Sequence, residues 1–351
     1  MPRISKPGYR FISGGYNMLT ILDHLPEHFL DTEAIHLDEL LPGPALIHLQ
    51  GRRKEPLFVS ILLHGNEITG LHAVQDLLRK YQTRELPRSL SLFVGNVGAA
   101  KQGQRRLEGQ PDYNRVWPGT EIPDCAETKM MQQVIDSMRA LNVFASIDVH
   151  NNTGINPHYA CVNVIDDRFF HLATLFSRIV VYFTRPVGVQ SHAFASLCPA
   201  VTIECGKVGQ QHAEQHAMEY LDAALHLSEI PDHKIPEADI DLFHTLAIIK
   251  VPEHASFSFN GDEKDICFDS DIDHLNFQEL RVGTRIGRIC QNANARLEAW
   301  DNNGNDIGDE LFSYDNGEIL TRKRLMPSML TLNEKVIQQD CLCYVMERYK
   351  V

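Results

Sequence analysis

The chain has 351 residues, of which 43% are hydrophobic and 23% charged, and its net charge is −13. This length predicts two domains, or one large domain with an appendage, in an ordinary globular protein. The acidic excess disfavours nucleic acid and anionic membranes as partners, but it is compatible with a local basic pocket for a small anionic substrate. No apolar stretch reaches the roughly 18–20 residues of a membrane span, and the N-terminus lacks the apolar core of a signal peptide, so the cytoplasm is the expected compartment.

Apolar patterns divide the first two thirds of the chain into alternating strands and helices. Strands are predicted from β-branched and apolar runs, and helices from apolar positions at helical spacing. The predicted strands are 57–63, 90–97, 143–149 and 199–205, with 9–15 as a further candidate, and the predicted helices are 70–82, 126–141, 170–180 and 212–228. This alternation predicts an α/β sandwich with a largely parallel sheet.

The composition changes near residue 228. Residues 229–239 are charged and contain two prolines, as expected of a linker, and short strand-like segments with turn signals follow. We therefore expect a first domain over 1–235 and a smaller β-rich domain over 240–351. The eight cysteines are scattered without a C-x-x-C pair, which indicates neither a zinc ribbon nor a disulfide framework.

Four of the predicted strands end in polar side chains. These are His64 and Glu67, Asn96, Asp148 and His150, and Glu204. Because the carboxyl ends of parallel strands share one edge of an open α/β sheet, and ligands bind at that edge, these side chains are expected to converge.

Two histidines and one carboxylate are a common ligand set for catalytic zinc, with one position left open for water. His64, Glu67 and His150 supply that set. The H-x-x-E spacing suits a tight strand-to-helix turn, in which Gly65 permits unusual backbone angles. Glu204 then remains as a carboxylate that exchanges protons with the attacking water and the leaving group.

A rival metal pair is His212 and His216, one turn apart on a predicted helix. Glu214 lies between them, which is not the H-E-x-x-H order of metalloproteases, and a solvated helix face is the expected role.

The loop GQRRLEGQPDYNRVWPG, residues 103–119, concentrates arginines in a segment with several glycines and prolines. Arginine binds carboxylates through two parallel hydrogen bonds. In an acidic protein this loop predicts an anionic substrate. A surface loop with solvated arginines is the alternative.

Four segments carry a family resemblance: HGNEITG, QRRLEGQPDYNRVWPG, IDVH and VTIECG. Their order and approximate spacing resemble those of the succinylglutamate desuccinylase/aspartoacylase family, within the zinc carboxypeptidase-like superfamily. The resemblance covers about residues 55–230, and residues 273–287 are similar to a segment of the family's C-terminal β domain. It implies a zinc-carboxypeptidase-like α/β/α sandwich with a mostly parallel mixed sheet, followed by a smaller β-rich C-terminal domain.

The resemblance also implies a catalytic centre with one zinc per chain. His64, Glu67 and His150 match the zinc ligands, and Glu204 matches the catalytic glutamate.

Three further positions match substrate-binding residues of the family. Asn114 and Arg115 match the pair that holds the substrate carboxylate. Arg106 matches the arginine that polarises the scissile carbonyl, although Arg105 beside it offers a second register.

The chain departs from the family in two places. Asn151 and Asn152 follow His150 where threonine or other small residues are common. The family's further substrate arginine, about ten residues before the catalytic glutamate, has no counterpart, and the nearest arginine is Arg185.

The leading interpretation is a zinc-dependent amidohydrolase that cleaves a small N-acyl amino acid, in the manner of a desuccinylase or deacylase. The alternative is a metallocarboxypeptidase for short peptides or peptide-like amides, which requires that the C-terminal domain leave the cleft open. A third interpretation is a family member that has lost catalysis and binds a metabolite or partner. The full ligand set and Glu204 argue against this third interpretation. The sequence leaves open whether the chain forms a homo-oligomer.

Overall fold

The structure is a computed structural model that describes residues 18–259, 261, 264–290 and 294–350. The candidate strand at 9–15 lies outside these residues. The strands are β1 Thr20–Leu22, β2 Ala45–Leu49, β3 Gly51–Ile61, β4 Leu86–Val94, β5 Ala145–Asn152, β6 Tyr159–Val162, β7 Ile179–Tyr182, β8 Ala200–Lys207, β9 Asp241–Lys250, β10 Phe257–Ser258, β11 Ile266–Phe268, β12 Arg285–Ile289, β13 Glu298–Asp301, β14 Phe312–Asp315, β15 Glu318–Thr321, β16 Met326–Ser328 and β17 Cys343–Arg348. The helices are α1 Thr69–Lys80, α2 Val97–Lys101, α3 Ala126–Ala140, α4 Asp167–Thr174, α5 Gln190–Phe194, α6 Gln211–His226, α7 Gly308–Leu311 and α8 Glu334–Gln339.

The element types predicted between residues 57 and 228 are confirmed, with one exception. The predicted helix 170–180 is wrong at its end, because α4 stops at Thr174 and Ile179–Tyr182 forms β7. β7 is a run of four apolar and β-branched residues, too short for its periodicity to separate strand from helix. Parallel pairing with β6 and β9 decides its conformation.

Contacts divide the chain into two compact units. The first consists of Met1–His150, Pro186–Ile203 and Glu214–Asp232, and the second of Asn151–Arg185, Glu204–Ala213 and His233–Val351. These units are defined by contacts and not by position along the chain, so the division into domains 1–235 and 240–351 stays a prediction.

In the first unit, the strands lie in the order β1-β2-β4-β3-β5. All neighbours are parallel except β2 and β4. Residues 56–61 of β3 are all buried, as expected of a parallel strand covered on both faces. Helix α1 buries Leu71, Val74, Leu77 and Leu78, which recur at helical spacing on one face. This packing brings the ends of β3, β4 and β5 to a common edge.

In the second unit, one group of strands lies in the order β6-β7-β9-β17-β16, and β13 pairs with β9. A separate five-stranded sheet has the order β10-β11-β12-β15-β14. The mostly parallel α/β class with a smaller, β-rich C-terminal part is therefore confirmed. None of the helices in the described part of the chain combines the length and apolarity that a membrane span requires.

One disulfide joins Cys267 in β11 to Cys290, just after β12. The sequence indicated no such bond, because the two residues are 23 positions apart and share no local motif. Antiparallel pairing of β11 with β12 brings them together.

Candidate metal centre and active site

The turn after β3 delivers two polar side chains to the edge of the sheet. Leu62 is fully buried and adopts φ 55, a left-handed conformation that is uncommon for a large side chain. Gly65 was predicted to supply unusual backbone angles, and this is wrong, because its φ is not positive. A Cβ at Gly65 would lie 2.2 Å from the backbone nitrogen of Ala100, so glycine is required there for close packing.

His64, Glu67 and His150 meet in one buried group. The Nδ1 atom of His64 lies 2.8 Å from Oε1 of Glu67, and Nδ1 of His150 lies 2.8 Å from Oε2. The exposed fractions of the three residues are 4%, 6% and 4%. Within the described residues, no other group of three or more His, Cys, Asp or Glu side chains has ligand atoms close enough to hold a metal ion; in this group they lie within 4.8 Å of one another.

Each imidazole has an aspartate carboxylate at its second ring nitrogen, Nε2. Nε2 of His64 lies 3.0 Å from Oδ1 of Asp112, and Nε2 of His150 lies 2.8 Å from Oδ2 of Asp148. Asp148 is fully buried, and its Oδ1 accepts a 2.6 Å hydrogen bond from the Ser60 hydroxyl. Metal-binding histidines usually donate their second N–H to a carboxylate in this way, so both imidazoles fit a metal bound through Nδ1.

The electrostatics of the group favour a cation at its centre. Burial lowers the pKa of His64, and Arg105 lowers it further, but Glu67 and Asp112 outweigh both and the pKa is raised. Burial likewise lowers the pKa of His150, but Asp148 and Glu67 raise it well above its ordinary value. Burial alone would raise the pKa of Glu67, yet the two imidazoles hold it below its usual range. Two imidazole nitrogens and a carboxylate are one of the ligand sets found in catalytic zinc sites.

The predicted carboxylate-binding pair lies beside this group. Nδ2 of Asn114 is 3.3 Å from Nε2 of His150, and Oδ1 of Asn114 accepts a 3.1 Å hydrogen bond from the backbone N–H of Gln190. Arg115 donates from Nη1 to the backbone carbonyl of Asn114, at 2.8 Å. The Arg115 charge also contributes to lowering the pKa of Asp112. The structure therefore brings Asn114 and Arg115 to the same edge as the histidines.

The two neighbouring arginines make different contacts. Arg105 donates from Nη2 to Oδ2 of Asp112 at 3.1 Å, and its Nη1 lies 3.7 Å from Oε1 of Glu67. Arg106 donates from Nη1 to the backbone carbonyl of Gln110, at 2.9 Å. Arg105 thus borders the histidine–glutamate group, and the catalytic role of Arg106 stays a prediction.

Two other sequence candidates have structural contacts of their own. Asn96 caps α2, since its Oδ1 accepts from the backbone N–H of Ala99 at 3.1 Å, and its Nδ2 donates to the Gln110 side chain at 2.8 Å. It therefore holds the loop at residues 103–119, called the arginine loop below, against α2. His212, of the rival metal pair, stacks on His158 with ring centroids 5.5 Å apart.

Asp112 is the functional residue that sequence reasoning missed. Its signal was its position two residues before Asn114, in the D-x-N-R element of the loop. Nothing in that local spacing points to His64, which lies 48 positions away.

Glu204 lies in β8 and in the second unit. Only 5% of it is exposed, and its Oε2 accepts a 3.0 Å hydrogen bond from Nδ2 of Asn152. It is thus a buried carboxylate held by an amide donor.

Comparison with known protein families shows which catalytic domain the chain contains. The model of the succinylglutamate desuccinylase/aspartoacylase catalytic domain matches residues 56–226. Residues 56–226 therefore form a succinylglutamate desuccinylase/aspartoacylase catalytic domain. The matched residues of this desuccinylase/aspartoacylase domain include His64, Glu67, His150 and Glu204, together with the arginine loop. This match supports a hydrolase of the deacylase/aspartoacylase type.

Solved structures of the desuccinylase/aspartoacylase group share the fold. The succinylglutamate desuccinylase from Chromobacterium violaceum is 18% identical, with a TM-score of 0.55 and coverage of 86% of both chains. The succinylglutamate desuccinylase/aspartoacylase from Rhodobacter sphaeroides is 14% identical, with a TM-score of 0.57 and coverage of 86% of this chain and 88% of that one. Murine aminoacylase 3 is 14% identical, with a TM-score of 0.55 and coverage of 86% of this chain and 97% of that one. No curated protein matches the chain by sequence. The predicted α/β fold class, with a large mostly parallel sheet and a second, smaller β sheet, is confirmed.

Proposed function

We propose that the chain is a zinc-dependent amidohydrolase that removes the acyl group from a small N-acyl amino acid with a free carboxylate. The observation that carries this proposal is the buried group of His64, Glu67 and His150, in which each imidazole is backed by an aspartate. The match of residues 56–226 to the catalytic domain of a family of deacylase-type hydrolases supports it.

One zinc ion per chain is the proposed cofactor, held by His64, Glu67 and His150. When bound, zinc supplies Lewis acidity, which polarises an amide carbonyl and lowers the pKa of water to about 7. The chain's own contribution is to direct both Nδ1 atoms inward. Asp112 and Asp148 do this by accepting the Nε2–H of each ring, which fixes the tautomer and the ring orientation.

We assign proton transfer to Glu204. Its carboxylate accepts a proton from the attacking water and then delivers one to the departing amine. Its burial, its position within the largely apolar strand β8 and the amide donor that holds it all support this role.

Asn114 and Arg115 are assigned to the substrate carboxylate, which fixes where the scissile amide lies. A guanidinium and an amide N–H beside the histidine group suit an anionic ligand, despite the net charge of −13.

The direct test is a hydrolysis screen of N-acyl amino acids, run beside short peptides and beside N-acyl amino acid amides that lack the carboxylate. Activity should disappear with a chelator and return with zinc. We expect Arg115→Ala to raise KM strongly for the N-acyl amino acids, because the variant lacks the guanidinium proposed to bind the substrate carboxylate. Arg139→Ala is the matched control, since Arg139 is exposed and pairs with Asp136 on α3. Equal activity on the amides would contradict the carboxylate clamp, and cleavage of peptides alone would favour the metallocarboxypeptidase.

A second prediction separates the two adjacent arginines. Arg105 borders the histidine–glutamate group. If it stabilises the negative charge that develops on the amide oxygen of the substrate, Arg105→Ala should lower kcat by about 10²–10³-fold, as removal of one such donor typically does. Arg106→Ala should then change kcat by less than about fivefold, because the hydrogen bond of Arg106 within the described residues goes to the backbone carbonyl of Gln110 in the same loop. Bound zinc is measured in both variants, since Arg105 also lies near Glu67. The opposite ranking would establish the register implied by the family resemblance.

A further inference from the structure

The buried contact of Glu204 with Asn152 joins two side chains on different strands. Asn152 is the last residue of β5, and 6% of it is exposed. Its Nδ2–H donates to Oε2 of Glu204 at 3.0 Å. A hydrogen bond between a buried amide and a carboxylate is charge-assisted, and so it is stronger than a bond between neutral groups.

The neighbouring asparagine makes a different contact. Nδ2 of Asn151 donates to the backbone carbonyl of Gly206, at 3.0 Å. Gly206 has φ 70, in the left-handed region. Asn151 therefore supports the backbone beyond Glu204, whereas Asn152 contacts the carboxylate itself.

A buried phenol stands near the same carboxylate. Tyr159 is 1% exposed, and its hydroxyl has no hydrogen-bond partner within the described residues, although the Asn152 side chain is close enough to lower its pKa. Burial, and then the charge of Glu204, raise the pKa of Tyr159 well above its ordinary value, so the phenol stays neutral. Its ring packs on Phe277 with centroids 4.9 Å apart, which restricts its movement. The hydrogen bond that holds Oε2 therefore comes from the Asn152 amide and not from this hydroxyl.

An amide donor has two effects on a carboxylate that must accept a proton. It favours the ionised form, because the hydrogen bond is stronger to a charged acceptor. It also fixes the rotation of the carboxylate plane, so that little reorganisation is needed when the proton moves. The first effect keeps the carboxylate in the form that can accept a proton, and the second limits reorganisation when the proton moves, without any contact between the amide and the substrate.

We infer that Asn152 is a positioning residue, which holds Glu204 ionised and oriented for proton transfer. This inference rests on the role proposed above for Glu204.

The experiment compares Asn152→Ala with wild type in kcat, KM, zinc content and thermal unfolding. Loss of a hydrogen bond to a charged group should lower kcat by about 10–100-fold, with zinc content retained and KM within about threefold. Asn163→Ala is the matched control, because it removes another buried amide donor of the second unit, from Nδ2 to the Phe183 carbonyl at 3.0 Å. That control should retain wild-type kcat. Asn152→Asp keeps the shape and removes the donor, and it should also lose activity at pH 7, because two adjacent carboxylates share a proton.

A double-mutant cycle separates positioning from a merely structural role. If Asn152 acts through Glu204, Asn152→Ala should cause no further loss in kcat when Glu204→Gln is already present. The inference would be overturned if Asn152→Ala lowered kcat by the same factor in the wild-type and Glu204→Gln proteins. It would also be overturned if Asn152→Ala and Asn152→Asp both had wild-type kcat. A fully active Glu204→Gln single variant would instead overturn the proposed mechanism, so the two failures are distinct.

Discussion

Glu204→Gln is expected to abolish nearly all turnover while the protein keeps its fold and its zinc. The substitution preserves shape and hydrogen-bonding capacity but removes the basicity of a buried carboxylate. Loss of general acid–base assistance typically costs on the order of 10²–10⁴-fold in rate. The amide of Asn152 contacts Oε2 at 3.0 Å, and the glutamine side chain can accept the same bond through its carbonyl oxygen.

Two measurements on one preparation decide this prediction: zinc per chain and kcat. Glu214→Gln is the matched control, because Glu214 is a half-buried glutamate on α6 that pairs with His72 at 2.7 Å. It should retain turnover. Loss of zinc from Glu204→Gln would identify Glu204 as a ligand, and a near-normal kcat would leave the proposed mechanism without its base.

His64→Ala is expected to remove zinc and, with it, all measurable hydrolysis. The variant deletes one of three proposed ligands, and it leaves the partly buried Asp112 without the imidazole that its Oδ1 contacts at 3.0 Å. Replacing an outer partner of a ligand already costs about 10–100-fold in metal affinity, and loss of the ligand itself should cost more. Removing one partner of a buried charged pair is also destabilising, so thermal unfolding should shift downward.

Elemental analysis after dialysis measures the metal, with hydrolysis of the best substrate from the screen as the second readout. His212→Ala is the control, since it removes the histidine of the rival pair that stacks on His158. It should keep its zinc. Retained zinc in His64→Ala, or loss of zinc in His212→Ala, would show that the metal site has been assigned to the wrong residues.

The sequence alone determined the class of the fold, because the signals for it are local. The buried run at 56–61 and the helical spacing of Leu71, Val74 and Leu78 follow from the period of each element and from the need to bury apolar surface. The grouping of His64, Glu67 and His150 was also predictable. Parallel strands bring their carboxyl ends to one edge, so residues far apart in sequence meet there without any pairwise signal.

Tertiary structure alone decided the contacts that have no local periodicity. The contact of Asp112 with His64, and of Arg105 instead of Arg106 with the histidine–glutamate group, depends on the path of the loop at 103–119. A loop rich in glycine and proline carries no repeating pattern, so its sequence does not fix which of two adjacent side chains faces inward. Gly65 is a similar case. Glycine is required at this position because a Cβ would lie 2.2 Å from the backbone nitrogen of Ala100, which is distant in sequence. Local sequence determines the period of an element, whereas long-range packing determines which polar atoms meet.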